Sequence, residues 1–172
     1  MNSTIETLIS RKSCKSFKKE QIKDSELELI LKAGTHAPSG RNMQSSVIVV
    51  VQDSETIKKL SDINASILGT DGDPFYGAPT VAVVLALTSG STPVEDGCLV
   101  MGNMLNAAYS LGIGGCWIHR ARETFESDEG KALLKEWGIT DEVVGVGNCI
   151  LGYPDGSLHD DYPRKDNYII KV

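Results

Sequence analysis

The sequence has no apolar run long enough to cross a bilayer. The longest, residues 81–87, falls far short of the roughly 18 to 20 residues that hydrocarbon requires, so a membrane is not an expected partner. The four cysteines, Cys14, Cys98, Cys116 and Cys149, contain no C-x-x-C pair. A zinc knuckle and a thioredoxin-like motif therefore lose support, and free thiols are the reading. Cys116 and His119 have C-x-x-H spacing, but a metal would need about two further ligands from elsewhere, and a buried thiol is the simpler interpretation. An excess of positive charge is also missing. The 17 basic side chains stand against 23 acidic ones, net −6, and such a field repels nucleic-acid phosphates. At the N-terminus the positive charges follow the apolar residues, the reverse of a secretory leader, and the expected location is the cytoplasm.

Several catalytic signatures are absent as well. There is no G-x-x-x-x-G-K-[ST], since Phe125 stands five residues before Gly130 and Lys131, and no G-x-S-x-G or H-E-x-x-H. The cluster Gly112, Gly114, Gly115 follows a helical pattern and precedes a strand, whereas a dinucleotide fingerprint follows a strand and opens a helix. His36, His119 and His159 show no diagnostic spacing, and Asp71, Asp73, Asp160 and Asp161 sit in turn-rich sequence where aspartate mostly caps backbone groups.

What is present suits one domain, residues 1–172, of ordinary globular composition, with 41% hydrophobic and 23% charged residues. Ile5, Leu8 and Ile9 share one face of a predicted helix over residues 4–10. Ser25 and Glu28 have capping-box spacing ahead of Leu27, Ile30 and Leu31. Residues 47–51 read as a buried strand, 54–60 as a short helix, 81–87 as a strand, and 94–111 as a central helix buried on several sides. A glycine turn into a strand ending near Ile118, a final helix over 127–137 with Leu133, Leu134 and Trp137 inward, and a strand over 143–151 complete the order. Alternation of helices and strands by itself suggests a parallel sheet. The end of the chain is β-prone, with Ile169 and Ile170 that nothing nearby can bury.

The basic residues are uneven. In an extended stretch Arg11, Ser13 and Lys15 point to one side, with Lys12 between them, a face suited either to a phosphate or simply to solvent. Arg164 and Lys165 offer a second cationic pair far away in sequence. R-x-S-x-K-x-F (residues 11–17), A-P-S-G-x-N-x-Q (37–44), L-G-I-G-G-C-W-I (111–118) and P-R-K (163–165) follow one another in this order. Together they resemble the FMN-dependent nitroreductase family, in particular its short members.

The resemblance implies an α+β fold with a mixed, mostly antiparallel sheet surrounded by helices. It also implies an intertwined homodimer with FMN at the interface and a C-terminal tail, about residues 160–172, extending onto the partner subunit. It assigns the FMN phosphate to Arg11, Ser13, Arg164 and Lys165. Lys15 falls near the ribityl chain and pyrimidine edge, where a cation stabilises the reduced cofactor. Pro38, Ser39 and Gly40 match the segment that reaches the flavin from the other subunit, although a plain turn is the simpler interpretation, with Asn42 and Gln44 available for hydrogen bonds. Asn64 is the candidate contact from the helix between the first two strands. Cys116, Trp117, Ile118 and His119 match the strand end along the ring, where a backbone N–H donates to flavin N5. The alternative there is that His119 itself supplies protons. Larger members carry Q-P-W, whereas Gln44 is followed here by Ser45 and Ser46, and the loop over residues 69–77 is short.

The implied activity is hydride transfer from NADH or NADPH through the flavin to an electron-poor small molecule by a ping-pong cycle. No protein nucleophile is then needed. A flavin-binding regulatory or storage module, or a Cys-His hydrolase using Cys116 or Cys149, are the rival readings.

Overall fold

The computed structural model describes residues 2–156, 158 and 162–172. His159, Asp160 and Asp161, and with them the start of the expected tail, lie outside the described residues. Helix α1 (Ser3–Ser10) is closed at its N-terminus by the Asn2 side chain, which accepts from the Ile5 N–H at 3.0 Å. Its apolar stripe, Ile5, Leu8 and Ile9, is exposed. Helix α2 (Asp24–Thr35) starts before the Ser25 and Glu28 pair that the sequence suggested as its box. Glu26 takes that role, accepting from the Lys23 main-chain N–H at 3.3 Å, while its carboxylate also accepts a hydrogen bond from the Tyr153 hydroxyl. A tertiary contact thus selects the start among several acidic candidates.

Among the described residues four strands form one sheet: β1 (Ser46–Val51), β2 (Thr80–Leu87), β3 (Gly114–Ile118) and β4 (Val143–Gly152), in the order β1-β2-β4-β3. Every pairing is antiparallel, which overturns the parallel sheet suggested by helix and strand alternation. The reason lies in the connection from β1 to β2. Val51 pairs with Val81, so the chain must return to where it left. Helix α3 (Ser54–Leu68) carries it away over 15 residues at about 1.5 Å each, and loop 69–79 brings it back along the helix. The sequence pattern predicted only the first half of α3, because Ser61, Asp62 and Asn64 break its apolar rhythm.

Strand β2 runs through the middle with both faces covered. Ala82, Val84 and Ala86 pack with Ile30, Met101 and Met104 under α2 and α4 (Pro93–Ser110), while Val81, Val83 and Leu85 pack on the other side. That second layer holds α3, α5 (Ala121–Glu126) and α6 (Asp128–Glu136), with Leu60, Ala121, Phe125 and Leu133 inward. Full burial of such side chains contributes roughly 1.5–3 kcal/mol each. An exposed pair such as Lys58 and Asp62 contributes at most about 0.5 kcal/mol, so the two core layers set the fold. Strand β1, read as buried from its valines, is instead a half-buried edge. Leu99 and Leu111, read as part of an all-round buried helix, are exposed, so α4 is covered on one side of this chain only.

Between Val84 and Leu85 the β2–β4 register shifts, leaving Val146 as an extra residue. Glycines flank this bulge. A Cβ on Gly145 would lie 2.2 Å from the Ala121 carbonyl oxygen, and one on Gly147 would lie 2.7 Å from the Trp117 indole nitrogen. These close approaches seat α5 and β3 against β4 and thereby fix the chain between them, residues 119–120.

Candidate functional site

Residues 11–17 run alongside β3. The Cys14 N–H donates to the Gly115 carbonyl at 3.0 Å, and the Cys14 side chain is buried against Gly114, where a Cβ would stand 2.6 Å from Cys14 Sγ. With Cys14 turned inward, the neighbouring side chains of an extended segment turn outward. Further along, the Lys18 N–H donates to the Tyr153 carbonyl and the Asp155 N–H to the Ser16 carbonyl, both at 2.9 Å. The chain leaving β4 is therefore laid beside the N-terminal segment, and the C-terminal residues return over the same end of the sheet.

There they enclose a cavity of about 720 Å³. Arg11, Lys12, Ser13 and Lys15 line one part of it, Cys116, Trp117, Ile118 and His119 another, and Arg164 arrives from the C-terminal segment. Arg120, Leu68, Pro74, Tyr76 and Tyr162 complete it. Among the described lining residues five are cationic and none is a carboxylate. In a protein of net charge −6 this is a local reversal of sign.

The ends of β3 and α3 are tied together. Asn64, fully buried, donates from Nδ2 to the His119 carbonyl at 2.7 Å. Arg120 follows with φ 73°, a left-handed conformation that non-glycine residues seldom adopt. Since the peptide bond is trans, the His119 carbonyl pointing at α3 turns the Arg120 N–H the opposite way. Asn64 is not itself among the cavity's lining residues; it reaches the site through the main chain.

The other sequence-predicted residues lie elsewhere. Lys165 is absent from the lining, and its Nζ lies 5.4 Å from the Tyr168 ring centroid. Pro38, Ser39 and Gln44 line a separate cleft of about 260 Å³ beside Asp96. The turn there, Gly40–Asn42, is held by Asp96, which accepts from the Gly40 N–H at 2.9 Å and from Thr92 and Ser45 hydroxyls. Those bonds, the Gly40 N–H first, hold the Asp96 carboxyl below its usual range. Gln44 donates from Nε2 to Asn42 Oδ1 at 3.2 Å, and both residues, with Arg41, have positive φ. The segment is a shaped turn, not a slack loop.

The thiols do not suit nucleophilic catalysis. Burial, with Cys116 beside it, pushes the Cys149 thiol up to about 12, and burial likewise raises Cys14. Cys116 is also buried, its Sγ 3.7 Å from the Trp117 carbonyl oxygen.

Sequence reasoning missed Leu68, Pro74, Tyr76, Arg120 and Tyr162. Leu68 belongs to the half of α3 that was not predicted. Arg120 and Tyr76 depend on left-handed backbone positions that carry no glycine to announce them.

The fold is thus an antiparallel sheet covered on both faces, with a cationic cavity at the end of its β3 edge strand. The sequence model described as "Nitroreductase family" matches residues 8–70. A protein from Archaeoglobus fulgidus, provisionally named NADH dehydrogenase/NAD(P)H nitroreductase, is 32% identical over 160 residues, covering 90% of this chain and 87% of that one. An FMN reductase [NAD(P)H] from Bacillus subtilis is 28% identical over 171 residues, covering 90% of this chain and 67% of the relative. The crystal structure of a Bacteroides fragilis nitroreductase with bound FMN superposes with a TM-score of 0.91 at 27% identity, over 100% of both chains. The chain belongs to the nitroreductase family.

Proposed function

We propose that the protein is an FMN-dependent oxidoreductase that takes hydride from NADH or NADPH and passes it to an electron-poor small molecule in a ping-pong cycle. The observation that carries this reading is the convergence of Arg11, Lys15, Arg120 and Arg164 on one cavity with no carboxylate among its described lining residues. Such a donor set fits a phosphate dianion, because charge-assisted hydrogen bonds are the strong ones and a carboxylate would compete for them. The buried, largely apolar flank of Cys116 and Ile118 suits a flat ring, and about 720 Å³ falls in the range of cofactor pockets.

FMN, when bound, supplies the hydride-accepting ring, so the chemistry needs no catalytic dyad from the protein. The chain's own residues do the rest. Arg11, Ser13 and Arg164 hold the phosphate, and Lys15 places positive charge where the reduced cofactor gains negative charge. The peptide between His119 and Arg120, fixed by Asn64, offers a donor whose direction does not change during turnover, so no reorganisation is needed at the moment of reaction.

The reading includes a second copy of this chain. Ile5, Leu8 and Ile9 of α1 are uncovered, the tail exposes 76% of Ile169 and 81% of Ile170, and the turn at Pro38, Ser39 and Gly40 lies apart from its own chain's cavity. A partner that packs on α1, contributes this turn and receives the tail accounts for all three. The test is spectroscopic. The purified protein should be a yellow dimer whose flavin bands bleach on anaerobic NAD(P)H and return with a quinone, with parallel double-reciprocal plots in steady state. A yellow protein that NAD(P)H leaves unbleached is the storage module; a colourless one that takes up no FMN ends the reading.

A further inference from the structure

Loop 69–79 does more than return the chain to β2. Phe75 is 1% exposed, plugged into the core beside Leu60, while its neighbour Tyr76 stands out at the cavity. Tyr76 has φ 55°, an unusual conformation for an aromatic residue, and such outliers persist where surrounding structure enforces them. The enforcing group is Asp73. Its carboxylate accepts from the Ser61 hydroxyl on α3, from the Phe75 N–H at 2.8 Å and from the Gly77 N–H at 2.6 Å, while its carbonyl accepts the Tyr76 N–H at 3.2 Å. Both sides of Tyr76 are thus pinned to α3. The ring then lies on the cofactor-side cation, with Lys15 Nζ 5.5 Å from its centroid.

We propose that Tyr76 determines acceptor specificity by offering an electron-rich ring face at the cavity to planar, electron-poor acceptors, and that Asp73 is the positioning residue that holds it there. This rests on the FMN reading above. An electron-poor ring stacks favourably on a phenol, whereas a compact inorganic oxidant gains nothing from it. The lysine contact helps to hold the ring in place, with Lys15 Nζ on one side of it. The Ser61 contact ties Asp73 to α3 next to Leu60, which is buried in the core.

The test separates acceptor choice from reductant choice. FMN-loaded protein is reduced anaerobically by light and EDTA, which supply the electrons without nicotinamide, and is then mixed with menadione or with ferricyanide in a stopped-flow instrument. In Tyr76→Leu the ratio of the menadione to the ferricyanide rate constant should fall about three- to tenfold. Tyr76→Phe should keep the wild-type ratio, and Asp73→Asn should reproduce the fall with Tyr76 intact. An unchanged ratio in both Tyr76→Leu and Asp73→Asn overturns the proposal. So does a loss of FMN affinity beyond about tenfold in Tyr76→Leu, because the ring would then be a cofactor contact. A wild-type protein that takes up no FMN overturns the underlying reading instead, and is seen before any variant is made.

Discussion

Loop 69–79 separates two cavities, and the larger one is the less informative. At about 870 Å³ it is bordered by α3, the loop and Gln21, and its polar side chains are largely committed to one another. Thr80 donates to Gln21 Oε1 and accepts from Gln52 Nε2, Ser61 donates to Asp73, and Lys58 pairs with Asp62 at 2.6 Å. Cations and carboxylates occur together there. The smaller cavity gathers cations from both ends of the chain with no carboxylate among its described lining. Volume alone therefore does not mark the site. A concentration of one charge sign, maintained against the protein's overall acidity, does.

The largest expected effect sharpens that contrast. Arg11→Ala removes one charge-assisted donor and should weaken FMN binding roughly 10- to 150-fold, the equivalent of about 1.5–3 kcal/mol. Flavin fluorescence titration measures it, and the loss should shrink as salt is added. Equal weakening by Lys58→Ala, in the other cavity, would break the comparison.

Next comes Asn64→Ala, which leaves the His119 carbonyl without its donor and should cost about 1–3 kcal/mol in urea unfolding. The same change should slow flavin reduction at saturating NAD(P)H more than it raises KM, because it loosens a direction and not a binding contact. A pure stability loss with unaltered half-reaction rates would remove Asn64 from the site.

Asp96 gives a pH signature. Its folded carboxyl lies below the ordinary aspartate value, so its contribution is fully present above that ordinary value and is lost as pH falls through the lower, folded one. Stability measured across that acid range should drop, and Asp96→Asn should flatten the drop. The smallest effect belongs to Lys58→Ala. Both partners are mostly exposed, and stability should change by about 0.3–0.5 kcal/mol at most.

How much of this was legible in the sequence follows from the kind of order involved. The alternation of Arg11, Ser13 and Lys15 is visible because an extended strand repeats every two residues, and the structure adds only the buried Cys14 that enforces it. Strands β2 and β4 are visible as apolar runs. Yet covering both faces of an antiparallel sheet erases the polar alternation that usually distinguishes it from a parallel one, so direction was not. Val81 and Ala82 look alike in sequence although they serve opposite core layers. Ser61 and Asn64 lie beyond residues 54–60, the part of α3 the apolar pattern marks, although Asn64 was a candidate contact, and their burial and bonds to Asp73 and His119 make them the joints that carry α3 to the site. Tyr76 and Arg120 rest on backbone conformations that tertiary contacts impose, and no local pattern encodes those.

The two core layers are complete by Tyr153, just past the end of β4, whereas Arg164 lies about ten residues later. A nonsense codon between the two would yield a polypeptide whose interior is intact but whose ligand pocket has lost a counter-ion. Cellular surveillance that senses exposed hydrophobic interiors would have little to act on, so impaired catalysis and normal abundance could be inherited together.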